Sequence, residues 1–422
     1  MPEGVVTGIS HDTRTLQPGN LYVAIRGENF DGHAFVADAF AKGAAGALVC
    51  DDFNWTANPL LTVPDTVKGL QDLARGYRKK WTGTVVGITG SVGKTTVKEM
   101  CADVLSIDGA THRTSGNYNN HIGLPLTMLS MPRTNRYGVF EIGMNRPGEI
   151  GALAYLLQPK IGIVTDIGNA HRERFHSLEA IAREKMKLVE RVPGSGTVIL
   201  DRDSPWYAMM RAHTCARVRT VSLEGIADYV GRKVSDGVMN VNGHNYAMPQ
   251  PGEHVMRNAL RAIALGLELQ LAPAEIADGL RNFKAPSMRW QESEIAGVQF
   301  INDAYNANPL SMRASLRTFA RLPGGHHRWA VVGGMRELGA IADEEHLALG
   351  EFIDHLDLDG VVAVGELGRQ IVCRNTKHFY HCADPAEAAS ILKDQLSAGD
   401  RVLLKASRGE RLELVLKHFT EN

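Results

Sequence analysis

Thr89-Gly90-Ser91-Val92-Gly93-Lys94-Thr95-Thr96 decides how this chain is read. A short apolar run, Val85 to Ile88, precedes it and reads as a buried strand. After it, Val97, Met100, Cys101, Val104 and Leu105 recur at helical spacing and line one face of a helix. Strand, glycine-rich turn, Lys-Thr and helix form a phosphate cradle. Gly90 and Gly93 let backbone N–H groups close on phosphate oxygens, with Ser91 and Thr96 in the same loop. The helix N-terminus adds positive potential. Lys94 would supply a point charge to β/γ-phosphates, and Thr95 a hydroxyl to Mg²⁺. Ile88 stands where the commonest phosphate-loop pattern has its first glycine. An ordinary glycine-rich turn is the plain alternative, and the flanking strand and helix argue against it.

The chain has 422 residues, too many for one typical core, so two to four domains are expected. With 46 Lys and Arg against 47 Asp and Glu, no broad field draws it to nucleic acid or a membrane. The five cysteines, Cys50, Cys101, Cys215, Cys373 and Cys382, contain no C-x-x-C pair. That spacing argues against structural zinc or a disulfide framework and fits a reducing compartment. Met1-Pro2-Glu3-Gly4 shows neither a basic n-region nor an apolar h-region, and no run approaches a membrane span. A soluble, cytoplasmic protein is expected.

Three blocks separate along the chain. Residues 1–80 carry short strand-like runs, Leu21 to Ile25 and Ala47 to Val49, and Ala-rich helical stretches, Ala34 to Lys42 and Val67 to Lys80. Residues 81–285 continue from the Val85 strand with runs at Gly138 to Ile142, Ile161 to Thr165 and Thr197 to Leu200, with helical segments between. That alternation predicts a mostly parallel sheet flanked by helices. Val218 to Met248 reads as a polar hairpin elaboration, followed by a helix from about His254 to Leu269. Residues 286–422 repeat the doubly wound α/β pattern. Their strands are predicted at Trp329 to Val332, Val361 to Val364 and Val402 to Leu404. Their helices are predicted at Ser311 to Arg321, Asp343 to His355, Pro385 to Leu396 and Glu410 to His418.

Polar groups at the ends of these strands carry the chemistry. Glu141 closes an apolar strand, at the end that faces the ligand crevice in open α/β sheets. Near a phosphate loop it is a candidate Mg²⁺ ligand, and a solvated strand-end glutamate is the alternative. His171 ends the polar loop Thr165-Asp166-Ile167-Gly168-Asn169-Ala170-His171. Asp303, in Asn302-Asp303-Ala304-Tyr305-Asn306-Ala307-Asn308-Pro309, could grip ribose hydroxyls, with side-chain amides in a turn before a helix. An Asx-rich helix cap is the alternative there.

The loop T-G-S-x-G-K-T-T resembles that of the Mur ligases, ATP-dependent amide-bond-forming enzymes of cell-wall precursor synthesis. The likeness runs along nearly the whole chain. It implies three domains: a small α/β UDP-binding domain, a central P-loop domain with a mostly parallel sheet, and a C-terminal Rossmann-like domain. Ser10-His11-Asp12-Thr13-Arg14 and Gly27 to Phe35 are similar to the part that holds the UDP-sugar, which implies substrate roles for Asp12, Thr13, Arg14, Gly32 and His33. Gly116 to Pro125 resembles an acceptor loop and implies roles for Asn117, Asn119 and Asn120. Gly252-Glu253-His254 with Asn258 resembles an adenine-side segment, and Met288-Arg289-Trp290 the site of a phosphate- or ribose-facing arginine. Val332 to Gly339 and Lys405-Ala406-Ser407-Arg408-Gly409 also match, although Gly334 departs from the usual Gly-Asp-Met. Asn308, Ser407 and Arg408 fall on the acceptor side.

The stretch from His171 to Lys185 resembles the family segment in which the histidine binds a second metal and a later lysine is carbamylated. Lys185 stands at the family spacing after Ile181-Ala182, and Lys187 is the weaker candidate. The resemblance therefore implies ATP and Mg²⁺ as cofactors. Thr95, Glu141, His171 and carbamylated Lys185 would be metal ligands. Lys94, Glu141, His171 and Lys185 would be catalytic. Gly90, Ser91, Gly93, Lys94, Thr95, Thr96, Asn258, Arg289, Asp303, Tyr305 and Asn306 would be nucleotide-binding. Asp303 to Pro309 points to the branch that joins UDP-N-acetylmuramoyl-tripeptide and D-alanyl-D-alanine, acting as a monomer. The D-N-P-R signature of the diaminopimelate-adding branch is absent. A ligase adding a different amino acid and a nucleotide-binding switch without ligase activity stay open at this point.

Overall fold

The computed structural model describes residues 6–27, 30–56 and 59–421. The Met1-Pro2-Glu3-Gly4 terminus and Glu28-Asn29 of the Gly27 to Phe35 stretch lie outside the described residues. Four short strands form the first sheet: β1 (Gly8–Ser10), β2 (Asn20–Val23), β3 (Gly46–Cys50) and β4 (Leu60–Val63). They lie in the order β1-β2-β3-β4, all parallel. Fully buried Val23 and Val49, with Leu48 at 2% exposure, are each worth roughly 1.5–3 kcal/mol of burial. The helix Thr66–Lys80 starts at Asp65, whose carboxylate accepts from the N–H groups of Val67 and Lys68. Its far end ties this sheet to the next: Arg78 Nε donates to Leu157 O at 2.9 Å.

The central sheet contains β5 (Thr84–Thr89), β6 (Thr111–Arg113), β7 (Tyr137–Glu141), β8 (Ile161–Val164), β9 (Thr197–Asp201), β10 (Arg217–Ser222), β11 (Tyr229–Ser235), β12 (Val238–Val241) and β13 (His244–Ala247). Their order is β13-β12-β11-β10-β9-β8-β5-β7-β6. From β6 to β11 all pairs are parallel. The predicted hairpin elaboration is therefore a continuation of this sheet: β10 pairs with β9, and only the β11–β12 and β12–β13 pairs are antiparallel. Helices Lys94–Ser106 and Glu253–Glu268 cover one face, where Val97, Met100 and Cys101 share a core with Ala259 and Ile263. The chain runs from β5 to β7 on one side and from β5's other neighbour β8 outward on the opposite side. The crevice at the C-terminal end of β5 is thus a topological switch point, where ligands bind in open α/β sheets.

The third sheet has a predominantly parallel core. Its strands are β14 (Gln291–Ile295), β15 (Val298–Asn302), β16 (Arg328–Gly333), β17 (Gly360–Val364), β18 (His378–Cys382) and β19 (Arg401–Lys405). Their order is β14-β15-β19-β16-β17-β18. The β14–β15 hairpin is antiparallel, and its polar outer strand carries little apolar signal in the sequence. The last helix begins at Glu413, later than expected, because Arg408–Glu410 forms a 3-10 turn and Arg411 takes a left-handed conformation. No helix among the described residues is long and apolar enough to cross a membrane.

Candidate active site

The loop after β5 is held from behind by the loop after β8. Ser91 N and Val92 N donate to Asp166 O at 2.8 and 3.1 Å, and Thr165 Oγ1 donates to Val92 O at 2.6 Å. Gly90, at φ +155°, packs so closely that a Cβ would overlap Thr165 Oγ1. Gly93 has φ +86° at the start of the helix Lys94–Ser106, and a Cβ there would crowd Asn258 Oδ1. Both positions therefore require glycine. Lys94 Nζ donates to Gly90 O at 2.9 Å. Burial pushes its pKa down, opposed by Glu141 and reinforced by Arg289.

Four groups converge beside Lys94. Thr95 Oγ1 donates to Glu141 Oε2 at 2.8 Å, and Asn119 Nδ2 donates to Glu141 Oε1 at 2.7 Å. Arg289 Nη2 donates to Thr95 Oγ1 at 3.0 Å, its guanidinium 4.2 Å from the Tyr305 ring centroid. A hydroxyl and a carboxylate side by side are hard oxygen donors that fit Mg²⁺, which takes one or two carboxylates and completes its shell with phosphates and water. Among the described residues no cluster of three His, Cys, Asp or Glu could hold a metal by itself.

A cavity of about 400 Å³ opens on this cluster. Ser91, Gly93, Thr96, Asn117, Asn120 and Asn258 line it, as do His171, Lys185, Asp303, Tyr305, Asn306 and Asn308. Lys185 lies on the helix Leu178–Arg191, capped by Ser177, and is 1% exposed. Burial holds its pKa well below the ordinary lysine range; Lys94 lowers it further, and Glu184 and Glu141 oppose. Lys187 faces elsewhere and pairs with Glu190 at 2.9 Å. His171, at φ 58°, pairs through Nδ1 with Glu337 Oε2 at 2.5 Å. That hydrogen bond lowers the Glu337 pKa.

Several candidates have structural duties. Asn120 Oδ1 accepts from Gly123 N at 2.8 Å beside the helix Gly123–Ser130, and Asn308 Oδ1 accepts from Ser311 N at 2.9 Å as the cap of Pro309–Ala320. The helix-cap alternative thus holds for Asn308, while Asp303 is engaged differently. Its Oδ2 receives Lys405 Nζ at 2.7 Å and Ser315 Oγ at 2.6 Å. Lys405 and Ser315 both line the cavity and were not among the expected site residues. Lys405 ends β19, a strand-end position that could have signalled it; Ser315 lies inside a helix and carries no local signal.

Other candidates do not line this cavity. Arg14 lies in the first block, highly exposed and forked onto Asp12, with contacts of 2.9 and 2.7 Å. These bonds hold the Asp12 carboxyl down at about 2. Lys42 Nζ donates to the Thr13 carbonyl at 3.1 Å. The Gly32 carbonyl accepts from Tyr22 Oη at 2.9 Å. His33 is buried with both ring nitrogens engaged, Nδ1 on Asp31 and Nε2 accepting from Cys50 N. In the third block, Ser407 Oγ accepts from Arg336 N at 2.9 Å, and Arg408 pairs with Glu413 at 2.8 Å.

Comparison with known proteins agrees along the chain. The model of the Mur ligase family, catalytic domain, matches residues 5–78. The Mur ligase middle domain matches 88–266, and the Mur ligase, glutamate ligase domain, matches 288–408. The UDP-N-acetylmuramoyl-tripeptide–D-alanyl-D-alanine ligase of Bacillus subtilis (strain 168) is 35% identical over 438 residues, covering 99% of this chain and 94% of that protein. The crystal structure of MurF from Acinetobacter baumannii superposes with a TM-score of 0.91 at 29% identity, covering 100% of this chain and 95% of that one. MurF ligase from Thermotoga maritima in complex with ADP gives 0.89 at 28% identity, covering 100% and 99%. With a phosphate loop at the switch point of the central sheet, a cavity lined by residues of the second and third blocks and this likeness over its full length, the chain belongs to the Mur ligase family.

Proposed function

We propose that this chain is an ATP-dependent ligase joining D-alanyl-D-alanine to UDP-N-acetylmuramoyl-tripeptide in peptidoglycan precursor synthesis. The observation that carries the reading is the convergence of Lys94, Thr95, Glu141 and Arg289 on one cavity. The ADP complex named for the Thermotoga maritima relative supports ATP use, and the names of the relatives support the two acceptor substrates. In this reading residues 1–80 hold the UDP moiety, 81–285 the nucleotide phosphates, and 81–285 and 286–422 together the nucleoside and the acceptors.

The tripeptide's terminal carboxylate oxygen attacks the γ-phosphorus of ATP, and ADP leaves. The amine of the dipeptide attacks the carbonyl carbon of the acyl phosphate and loses a proton. The tetrahedral adduct then collapses to amide and inorganic phosphate. Lys94 and Arg289 stabilise charge on the transferring phosphoryl group, the term on which such transfer chiefly depends. Mg²⁺, held by Thr95 and Glu141, would neutralise phosphate charge. Enclosure between the central and third sheets keeps water from the acyl phosphate. Asn258, Asp303, Tyr305 and Asn306 bind the nucleoside side, and Asn117, Asn119, Asn308, Ser407 and Arg408 serve the acceptors.

Lys185 is N-carbamylated in the active protein. Its buried amine favours the neutral form that attacks CO₂, and the resulting carbamate is an anionic oxygen ligand, which an amine is not. With His171 and Glu141 it would hold a second Mg²⁺. Nucleotide-linked substrates support a cytoplasmic reaction, and a monomeric chain is part of this reading. The decisive assay is phosphate release from ATP with lysine- and diaminopimelate-containing UDP-tripeptides, each with and without D-alanyl-D-alanine. Turnover should require both acceptors. Turnover with a single amino acid in place of the dipeptide would reassign the chain within the family, and turnover without acceptors would remove it from the ligases.

A further inference from the structure

We propose that Arg261 is a positioning residue for nucleotide binding, acting on the phosphate loop through Asp166 and on Asn258. The inference rests on reading Thr89 to Thr96 as the nucleotide-phosphate loop. Arg261 lies on the helix Glu253–Glu268 with 0% exposure and is the largest fully buried side chain among the described residues. A guanidinium so placed is unfavourable unless it is paired. Its Nη2 donates to Asp166 Oδ1 at 2.6 Å and to Asp201 Oδ2 at 2.9 Å, and its Nη1 lies 3.5 Å from Asn258 Oδ1.

Asp166 works in two directions. Its carboxylate is held by Arg261, while its carbonyl oxygen receives the N–H groups of Ser91 and Val92. The guanidinium therefore fixes the residue on which the loop is seated. Asn258 is held from the same side and abuts Gly93. Asp201 is shared with a second guanidinium, Arg257 Nη1 at 3.1 Å, whereas Arg261 is the guanidinium bonded to Asp166. Neither Arg261, Asp166 nor Asp201 lines the cavity, so their influence on a nucleotide must pass through the loop and Asn258. The sequence alone shows Arg261 only as a charge on the buried stripe of a helix.

The test is calorimetry on the full chain with ADP, and with UDP-N-acetylmuramoyl-tripeptide as the second ligand. Arg261→Met should weaken ADP binding at least tenfold and leave the UDP-substrate affinity within twofold. Adding Asp166→Asn removes the stranded carboxylate and should recover part of the ADP affinity. Arg261→Lys retains the charge for the case in which the methionine variant does not fold. Its single ammonium cannot bridge Asp166, Asp201 and Asn258 together, so ADP binding should still weaken at least threefold. ADP affinity unchanged in either cooperatively melting variant overturns the proposal, as does parallel loss of both ligands. A parent chain that binds the UDP-substrate but not ADP would instead overturn the nucleotide-loop reading.

Discussion

Arg289 donates a hydrogen bond at 3.0 Å to the hydroxyl of Thr95, a residue 194 positions earlier in the chain. Thr95 in turn donates its own hydroxyl hydrogen bond to Glu141 at 2.8 Å. The third block thereby reaches the phosphate loop and its nearest carboxylate in two steps. The Tyr305 ring supports the guanidinium from one face. Arg289→Ala should lower kcat roughly 100-fold, the loss typical of removing one charge-stabilising donor. Arg289→Lys should recover only part of this, because an ammonium lacks the planar fork. Steady-state kinetics with saturating acceptors would check this, and a near-normal kcat for the alanine variant would remove Arg289 from the machinery.

Lys94→Ala should abolish turnover and preserve the fold. Its ammonium reaches the Gly90 carbonyl in the loop, and loss of its charge should raise the barrier by roughly 3–4 kcal/mol. Circular dichroism and phosphate release on the same sample separate folding from chemistry. Parent-like turnover would end the cradle reading.

Lys185 ties activity to CO₂ and stability to pH. Lys185→Ala should lose most activity, and a short-chain acid should restore some of it. The native pKa lies well below the ordinary 10.5, so between those values the unfolded chain binds a proton that the native protein does not. The lysine's contribution to stability therefore falls as pH drops from the ordinary value toward the native one, and flattens below it. In CO₂-free buffer, Lys185→Met should melt above the parent at neutral pH, with the difference shrinking as pH rises. A parent that melts higher than Lys185→Met at neutral pH, or full activity in Lys185→Ala, would contradict this assignment.

Arg14→Ala should weaken binding of the UDP-substrate about tenfold, in line with losing one hydrogen bond to a charged group, while ADP affinity stays constant. Arg14 is exposed and held in place by Asp12, so its removal leaves no buried charge unpaired. Calorimetry with each ligand decides the matter; equal UDP-substrate affinity in parent and variant would count against the assignment.

Much of this site is written locally. The glycines, Lys94 and Thr95 are legible because one strand, one turn and one helix bring them together, and short-range sterics and helical period determine all three. The place of Glu141 follows from the same rule, since strand ends in a parallel sheet share an edge. Lys185 is preferred over Lys187 in the sequence only through the family spacing after Ile181-Ala182; in the folded helix it lies on the buried face with Ile181 and Leu188, and Lys187, two residues along, points to nearly the opposite side. Tertiary structure alone decided the pairs far apart in sequence: Arg289 with Thr95, His171 with Glu337, Lys405 with Asp303, and Arg261 between Asp166 and Asp201. No local periodicity encodes such partners. Which carboxylate meets which cation depends on strand order and on how the three sheets pack, and those follow from burial summed over the whole chain.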